Sequence, residues 1–151
     1  MQHLLNRNLI RYNMNLFTQE EVFENIASLA VEYGIATNKN AVINGLKHRE
    51  KEGTTGFFDG FAIPHTQVNE IIRPGIIILV NQSGIEWNSL DGNPAKFFIS
   101  LLIPEKQRGT THLEVLAAIS RLLMQEEIRA ALLNAKDDGE IYSIIKNNLE
   151  L

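Results

Sequence analysis

Apolar residues occur along this chain with two different spacings, and the first well-defined element that they predict is a helix beginning after Thr18. Thr18 and Glu21 have the spacing of a capping box, in which each side chain satisfies a free backbone N–H group of the other. Gly34 can adopt the left-handed conformation that ends a helix. Between them, apolar side chains recur every three or four residues, the spacing of one helical face, at Val22, Phe23, Ile26, Leu29, Ala30 and Tyr33.

The same criteria predict four more helices. Thr37 or Asn38 begins the second, which ends near Gly53. Further along, Thr111-His112-Leu113-Glu114 has the form of a second capping box and begins a helix that reaches about Leu123. Helical stretches at about 126–133 and 139–148 complete the set.

Short continuous apolar runs predict the strands. They cover about 9–14, 75–80 and 95–103, with Pro104 closing the last, and a shorter apolar segment covers 61–64. Asp91-Gly92 predicts a turn before the third run. A strand, two helices, several strands and three helices in this order predict a three-layer α/β/α sandwich around a mixed sheet. We expect a single domain over 1–151, with its core at about 18–148.

Composition narrows the classes of function. The chain has 44% hydrophobic and 21% charged residues, and 14 basic against 18 acidic residues give a net charge of −4. Because no segment concentrates the basic residues, nucleic acid is not an expected partner. The apolar runs are far too short to span a bilayer, and the N-terminus lacks the apolar core of a signal peptide. We therefore expect a cytoplasmic protein with no direct membrane insertion.

The chain contains no cysteine, which excludes disulfides, thiolate metal sites and cysteine nucleophiles. The histidines form neither an H-x-x-x-H nor an HExxH pattern, so a metal site built from His65 and His112 is not favoured. We expect neither a metal nor a cofactor. Histidine is then the first candidate for chemistry.

The four histidines stand at positions 3, 48, 65 and 112. His3 is close to the N-terminus and His48 lies in a charged run, and both settings are typical of solvated side chains. His65 follows Pro64, which fixes its own φ and drives the residue before it toward an extended conformation. This predicts a histidine held rigidly at the surface, where a short strand ends. A structural histidine is the alternative explanation.

Other candidate residues suit the binding of an anion. His112 falls in the first turn of a predicted helix, where free N–H groups and the helix dipole favour an anion and a neutral imidazole. Arg49 carries a guanidinium fork that can clamp a phosphoryl group. A small polar loop that can cradle phosphate is formed by Thr54, Thr55 and Gly56. The alternative explanations are a chance helix start for His112, a solvated charge for Arg49 and a plain turn for the loop.

Three segments together resemble the active-site signature of the fructose/mannitol-type enzyme IIA family of the bacterial sugar phosphotransferase system. They are Arg49-Glu50, Gly53-Thr54-Thr55-Gly56 and Gly60-Phe61-Ala62-Ile63-Pro64-His65. Trp87, Asp91-Gly92 and the apolar strand to Pro104 resemble the family's central hairpin. His112-Leu113-Glu114-Val115-Leu116-Ala117 is similar to its second histidine segment, so the resemblance covers about 18–148.

The resemblance implies a phosphotransferase in which His65 accepts a phosphoryl group from the histidine-containing phosphocarrier protein. His112 and Arg49 then line the same pocket, and the group passes to a cysteine of an enzyme IIB that works with a membrane IIC component. Because this chain has no cysteine, we expect enzyme IIB to be a separate chain. The alternative is a regulatory, nitrogen-type member that acts through phosphorylation-dependent protein binding. Fructose, mannitol and galactitol all remain open as the sugar, and the sequence does not indicate the oligomeric state.

Two partners must reach His65 in turn, so we expect an exposed site with an apolar rim. Phe57 and Phe58, beside the Gly-Thr loop, are the candidates for that rim, because aromatic residues are enriched at interfaces. The alternative is that both rings pack into the core.

Overall fold

The computed structural model describes residues 4–151, and His3 lies outside them. The helices are α1 (Gln19–Glu32), α2 (Lys39–Glu52), α3 (Thr111–Leu123), α4 (Glu126–Asn134) and α5 (Asp138–Asn148). The strands are β1 (Ile10–Met14), β2 (Phe61–Ala62), β3 (His65–Val68), β4 (Gly75–Ile85) and β5 (Ala95–Pro104). Short 3-10 helices cover Arg7–Leu9 and Glu105–Gln107.

The first two helices begin as the sequence predicts. The Thr18 hydroxyl accepts a hydrogen bond from the Glu21 backbone N–H at 3.1 Å, and the Glu21 carboxylate accepts one from the Thr18 N–H at 3.1 Å. Gly34 follows α1 with a φ of 73°. Asn38 begins α2 by accepting a hydrogen bond from the Ala41 N–H at 2.9 Å. These local signals are therefore confirmed.

The sheet is mixed, because one antiparallel pair lies between parallel neighbours. β4 and β5 run antiparallel at its centre, and β1 pairs parallel to β4 on one side. β2 and β3 follow one another along the other side of β5, both parallel to it. The spatial order is β1-β4-β5, followed by β2 and β3 at the edge.

Helices cover both faces of this sheet. Alternate residues of β4 and β5, such as Ile77 and Phe98, pack with α1 and α2. Their neighbours in sequence, such as Ile76 and Phe97, pack with α3, α4 and α5 on the opposite face. The alternation follows from the two-residue period of a strand, and the resulting two-sided core confirms the three-layer α/β/α prediction.

The predicted capping box at Thr111 is wrong. Thr111 is the first residue of α3 and Thr110 precedes it as the N-cap, with φ −113° and ψ −67°; among the described residues this cap receives no side-chain hydrogen bond. A capping side chain needs an extended backbone at its own position. Here the chain enters α3 from a 3-10 helix through the helical turn at Arg108, so the extended geometry is not reached.

The strand at residues 65–68 was not predicted. His65-Thr66-Gln67-Val68 carries little of the apolar pattern that identifies a strand, yet it pairs with β5 over four residues, from Leu101 to Pro104. Consequently His65 begins a strand of the sheet, and the prediction that it stands at the surface where a strand ends is wrong.

Candidate functional site

His65 is held in the sheet at the first position of β3, opposite Leu101 of β5. Paired residues of neighbouring strands point to the same face, and Leu101 packs with α3 to α5. The His65 ring therefore lies on that face, and the residue is only 6% exposed. Its Nδ1 lies 2.7 Å from the carbonyl oxygen of Ile63. A carbonyl can only accept, so Nδ1 carries the proton of the neutral ring and Nε2 carries the free lone pair.

Arg49 approaches that lone pair from the last turn of α2. Its Nε donates a hydrogen bond to His65 Nε2 at 3.2 Å. A second nitrogen of the same guanidinium, Nη1, donates to the carbonyl oxygen of Gly53 at 2.8 Å. Because Gly53 is the residue that follows α2, the end of the helix and the start of the next loop together fix the direction of the guanidinium.

His112 comes from the opposite helical layer, in the first turn of α3. Its ring centroid lies 5.4 Å from that of His65, with 32° between the two planes. The side-chain nitrogen of Gln67, two residues after His65 in β3, lies 3.0 Å from His112 Nδ1. The site thus takes one histidine from the sheet edge, one from α3 and an arginine from α2.

Both histidines are shifted toward the neutral form. Burial is the main reason that the pKa of His65 is lowered to about 4; the hydrogen bond to Ile63 opposes this shift, and the nearby Arg49 and His112 contribute to it. Burial also lowers the pKa of His112, with a contribution from the charge of Arg49. A ring nitrogen with a free lone pair beside a guanidinium is therefore available at neutral pH, and this is the state that a nucleophile requires.

The loop between α2 and β2 is fastened by Glu50 and Trp87. The Glu50 carboxylate accepts hydrogen bonds from the Thr55 N–H and from the Thr55 hydroxyl, both at 2.7 Å. The Trp87 indole donates to the same hydroxyl at 3.0 Å. Thr54 donates its hydroxyl to the Trp87 carbonyl at 2.9 Å and accepts from the Gly56 N–H at 3.0 Å. The polar groups of this loop are thus engaged inside the protein.

Comparison with known proteins decides the family. The model of the family described as "Phosphoenolpyruvate-dependent sugar phosphotransferase system, EIIA 2" matches residues 3–148. This chain belongs to that family. Members of the EIIA 2 family are phosphoryl-carrying components of the sugar phosphotransferase system, so the predicted family and phosphotransferase activity are confirmed.

Two curated relatives illustrate the range of the family. The fructose-specific EIIA component of Haloferax volcanii is 32% identical over 133 residues, which are 88% of this chain and 86% of that protein. The fructose-specific EIIABC component of Bacillus subtilis is 32% identical over 145 residues, which are 96% of this chain. The chain spans only 23% of that larger protein.

Solved structures show the same fold. The nitrogen regulatory protein IIA-Ntr of Neisseria meningitidis superposes with a TM-score of 0.86 at 27% identity, covering 94% of this chain and 96% of that one. The IIAMTL–phosphorylated IIBMTL complex of Escherichia coli superposes with a TM-score of 0.79, covering 95% of this chain and 97% of that one. Its 17% identity makes it evidence for the fold alone.

Three of the predicted residues of this EIIA 2 member lie together in the structure. His65, His112 and Arg49 share one site, as the resemblance implied. His48 is 79% exposed and pairs with Glu52 at 3.5 Å, as a solvated residue would. The phosphate-cradling role of Thr54, Thr55 and Gly56 stays a prediction.

Two residues of this site were missed by the sequence interpretation. Gln67 lies in the strand that was not predicted, so no pattern placed its side chain beside His112. Glu50 stands next to Arg49 in the signature, but it looked like one member of a charged run. The signal in the sequence was its position five residues before Thr55, close enough for its carboxylate to reach the loop that follows the helix.

Two absences bear on other classes of protein. No helix within residues 4–151 is long and apolar enough to cross a membrane. In the same residues, no group of three or more histidine, aspartate and glutamate side chains is placed to hold a metal ion.

Proposed function

We propose that this chain accepts a phosphoryl group on Nε2 of His65 and passes it on to an enzyme IIB. The observation that carries the proposal is the setting of that atom. The proton of the ring is committed to the Ile63 carbonyl through Nδ1, and the lone pair on Nε2 faces the Arg49 Nε at 3.2 Å. The low pKa of the ring, about 4, keeps this lone pair unprotonated at neutral pH.

The transfer step follows from these contacts. The lone pair of Nε2 forms a bond to phosphorus while the N–P bond to the donor histidine breaks, and the electron pair of the broken bond returns to the donor ring. His65 keeps its Nδ1 proton and therefore gains positive charge. The Ile63 carbonyl, at 2.7 Å, stabilises that charge.

Arg49 supplies the positive charge that the phosphoryl group requires. Its hydrogen bond to Nε2 must give way as phosphorus arrives, and Nε can then donate to a phosphoryl oxygen. The anchor from Nη1 to Gly53 keeps the guanidinium in place during that exchange. Phosphoryl transfer has a loose transition state, so positioning and charge stabilisation supply most of the catalysis.

His112 supports the phosphoryl group in this proposal and does not carry it. It lies in the first turn of α3, where free N–H groups and the helix dipole favour negative charge. Thr54, Thr55 and Gly56 stay the predicted phosphate loop. In this structure their hydroxyls and the N–H groups of Thr55 and Gly56 have hydrogen-bond partners inside the protein.

The proposed donor is the histidine-containing phosphocarrier protein, and the proposed acceptor is a cysteine of an enzyme IIB that serves a membrane IIC component. The chain contains no cysteine, so the acceptor lies outside these 151 residues. IIAMTL of Escherichia coli, which has the same fold, forms a complex with phosphorylated IIBMTL, and we propose a partner of the same kind for this chain. The proposed compartment is the cytoplasm, which a cysteine-free chain suits.

Labelling tests the proposal. The chain is incubated with phosphoenolpyruvate, enzyme I, the phosphocarrier protein and candidate IIB proteins, and the modified ring atom is identified by NMR. We expect an acid-labile, base-stable phosphohistidine at Nε2 that disappears in His65→Gln and persists in His48→Gln. Label on His112, or full labelling of His65→Gln, would refute the assignment.

A regulatory role is the second candidate, because the nitrogen regulatory protein of Neisseria meningitidis shares this fold at 27% identity. Phosphorylation at His65 would then switch binding to another protein. Transfer of label to a IIB cysteine distinguishes the two roles. A chain that accepts label yet donates it to none of the IIB proteins of its own cell favours the regulatory one.

A further inference from the structure

We propose that Glu50 is a positioning residue that sets the orientation and tautomer of His65 from a distance. The inference rests on the proposed function, because it assigns Glu50 to the same phosphoryl-transfer site. Glu50 does not contact His65. It holds Thr55 through two hydrogen bonds of 2.7 Å. Two chains of hydrogen bonds then lead to the His65 ring. One starts at Thr55 and reaches Nδ1, and the other starts in the loop just before Thr55 and reaches Nε2.

The first connection leads to Nδ1 through the backbone. The carbonyl of Thr55 accepts a hydrogen bond from the Ile63 N–H at 3.0 Å. The carbonyl of the same Ile63 accepts the Nδ1 proton of His65 at 2.7 Å. If Thr55 moves, Ile63 loses a backbone partner, and the carbonyl that fixes the tautomer is free to turn.

The second connection leads to Nε2 through Arg49. Gly53 lies two residues before Thr55, and its carbonyl accepts the Arg49 Nη1 at 2.8 Å. Arg49 then points its Nε at His65 Nε2. Release of Thr55 would let the short loop from Gly53 relax, so the guanidinium would lose its fixed direction.

A carboxylate is the group that suits this position. The Trp87 indole donates to the Thr55 hydroxyl at 3.0 Å, so the hydroxyl proton must go to another acceptor. Glu50 offers one oxygen to that proton and the other to the Thr55 N–H. A glutamine would have one acceptor oxygen for two donors, and its NH₂ group would face one of them.

The first test uses the unphosphorylated chain and needs no partner protein. Ring ¹⁵N NMR reports which nitrogen of His65 carries the proton at pH 7. We expect the Nδ1–H tautomer in the native chain and in Thr55→Ser, which keeps the hydroxyl. In Glu50→Gln, and to a smaller extent in Thr55→Val, a substantial Nε2–H population should appear. The matched control is Glu52→Gln, an exposed carboxylate on the same helix that pairs with His48.

The second test measures transfer from the phosphocarrier protein. Glu50→Gln should lower kcat by about 10- to 100-fold, because a small misplacement of reacting groups costs this much. The KM should stay within about twofold, since the connections run inside the protein. The matched control Glu52→Gln should retain both constants.

Some outcomes would overturn the inference. If folded Glu50→Gln keeps the native tautomer and kcat, Glu50 does not position His65. The inference also fails if Thr55→Ser loses as much of the Nδ1–H tautomer of His65 as Thr55→Val does. Should Glu50→Gln fail to fold, the two Thr55 variants decide the matter. If the native chain accepts no label, the proposed function fails, and the tautomer comparison still tests Glu50.

Discussion

At the scale of single residues, His65 resolves a conflict between reactivity and burial. A charged imidazole would be costly in so closed a place, and the ring avoids this cost by staying neutral, with a pKa of about 4. The low pKa also leaves Nε2 unprotonated, as a nucleophile must be. One hydrogen bond donated to Ile63 and one accepted from Arg49 leave Nε2 with the free lone pair, and this is the nitrogen on which we propose that the phosphoryl group is carried.

Burial of His65 predicts an acid-dependent loss of stability. An unfolded histidine has a pKa near 6.5, so between pH 6.5 and about 4 only the unfolded chain binds the proton. Protonation of His65 therefore has no effect on the free energy of unfolding above pH 6.5, and it lowers that free energy progressively as the pH falls through this window. By pH 4.5 the native chain should have lost about 2–3 kcal/mol relative to His65→Gln.

Urea unfolding at several pH values measures this difference. Between pH 7.5 and 8.5, above the window, the difference between the two proteins should be constant, which provides the internal control. Parallel stability curves from pH 7.5 down to pH 4.5 would contradict the prediction.

Arg49→Lys should slow phosphoryl transfer by about 10-fold or more without loss of stability. Lysine keeps the charge but cannot donate to Gly53 and to the site at once through a planar fork. Single-turnover labelling by the phosphocarrier protein measures the rate. The control is Arg73→Lys. Arg73 is an exposed arginine that donates a hydrogen bond to the carbonyl of Tyr33, the residue that follows α1. Equal transfer rates for the two variants would show that Arg49 is an ordinary solvated charge with no part in the transfer.

At the scale of elements, the site depends on how closely α2 approaches β3, because these two elements carry Arg49 and His65. Gly45 makes the approach possible. A Cβ at this position would lie 2.6 Å from the Thr66 hydroxyl oxygen and 2.7 Å from a methyl group of Val68. Either distance is too short for real atoms, so the glycine determines the spacing between helix and strand.

Gly45→Ala should therefore destabilise the fold by about 1–3 kcal/mol, the usual cost of overpacking, despite the better helix propensity of alanine. It should also slow transfer, since Arg49 and His65 are pushed apart. Thermal unfolding and labelling measure both effects. Asn44→Ala, at the exposed neighbouring position, should change stability by less than about 0.5 kcal/mol. A Gly45→Ala chain with native stability and rate would show that the contact is readily relieved.

Elements with strong local signals could be predicted from the sequence, and the others could not. The Thr18 and Asn38 caps act through the next three residues, so they are readable locally. The cap predicted at Thr111 failed because the preceding 3-10 helix sets the backbone there. β3 was not predicted because it is defined by its pairing with β5. That long-range contact produces no recognisable pattern within four residues.

The site shows the same division. The family signature predicts that His65, Arg49 and His112 lie together, and in the structure they do. It did not reveal the burial of His65 or the partners that fix its tautomer, since these depend on which backbone groups the folded loop brings near the ring. The Glu50 contacts with Thr55 are short in sequence, but they cross the end of α2, where no periodic pattern continues.

At the scale of the whole molecule, the proposed function requires the phosphocarrier protein and enzyme IIB to dock in turn around one buried histidine. Such docking should be brief, because tight binding of either partner would slow its release, and we expect affinities in the micromolar range or weaker. A standard interface buries about 800 Å² on each partner, a patch roughly 30 Å across. The partners must therefore contact residues well beyond His65 itself.

Phe58 is our candidate for this outer contact. Phe58 is 36% exposed, and its ring lies 4.8 Å from that of Phe57, which is half-buried and packs on the core beneath α3 to α5. The Phe57 backbone is hydrogen-bonded to Phe61, four residues before His65 along the sheet edge. At about 3.3 Å per residue, this places the pair roughly 13 Å from His65 along the strand direction, within reach of a docked partner.

Phe58→Ser should raise the apparent KM for at least one partner several-fold, because an exposed aromatic ring at an interface contributes about 1 kcal/mol or more. The kcat should hold, since Arg49, His65 and His112 are untouched, and the domain should stay folded because Phe57 still covers the core. The control is Val31→Ser, a side chain of similar exposure (39%) near the end of α1. Val31 precedes the start of α2 by eight residues, and Arg49 lies about 15 Å further along that helix. Steady-state transfer with each partner measures both constants. If Phe58→Ser and Val31→Ser give the same KM for both partners, the docking surface lies elsewhere around His65.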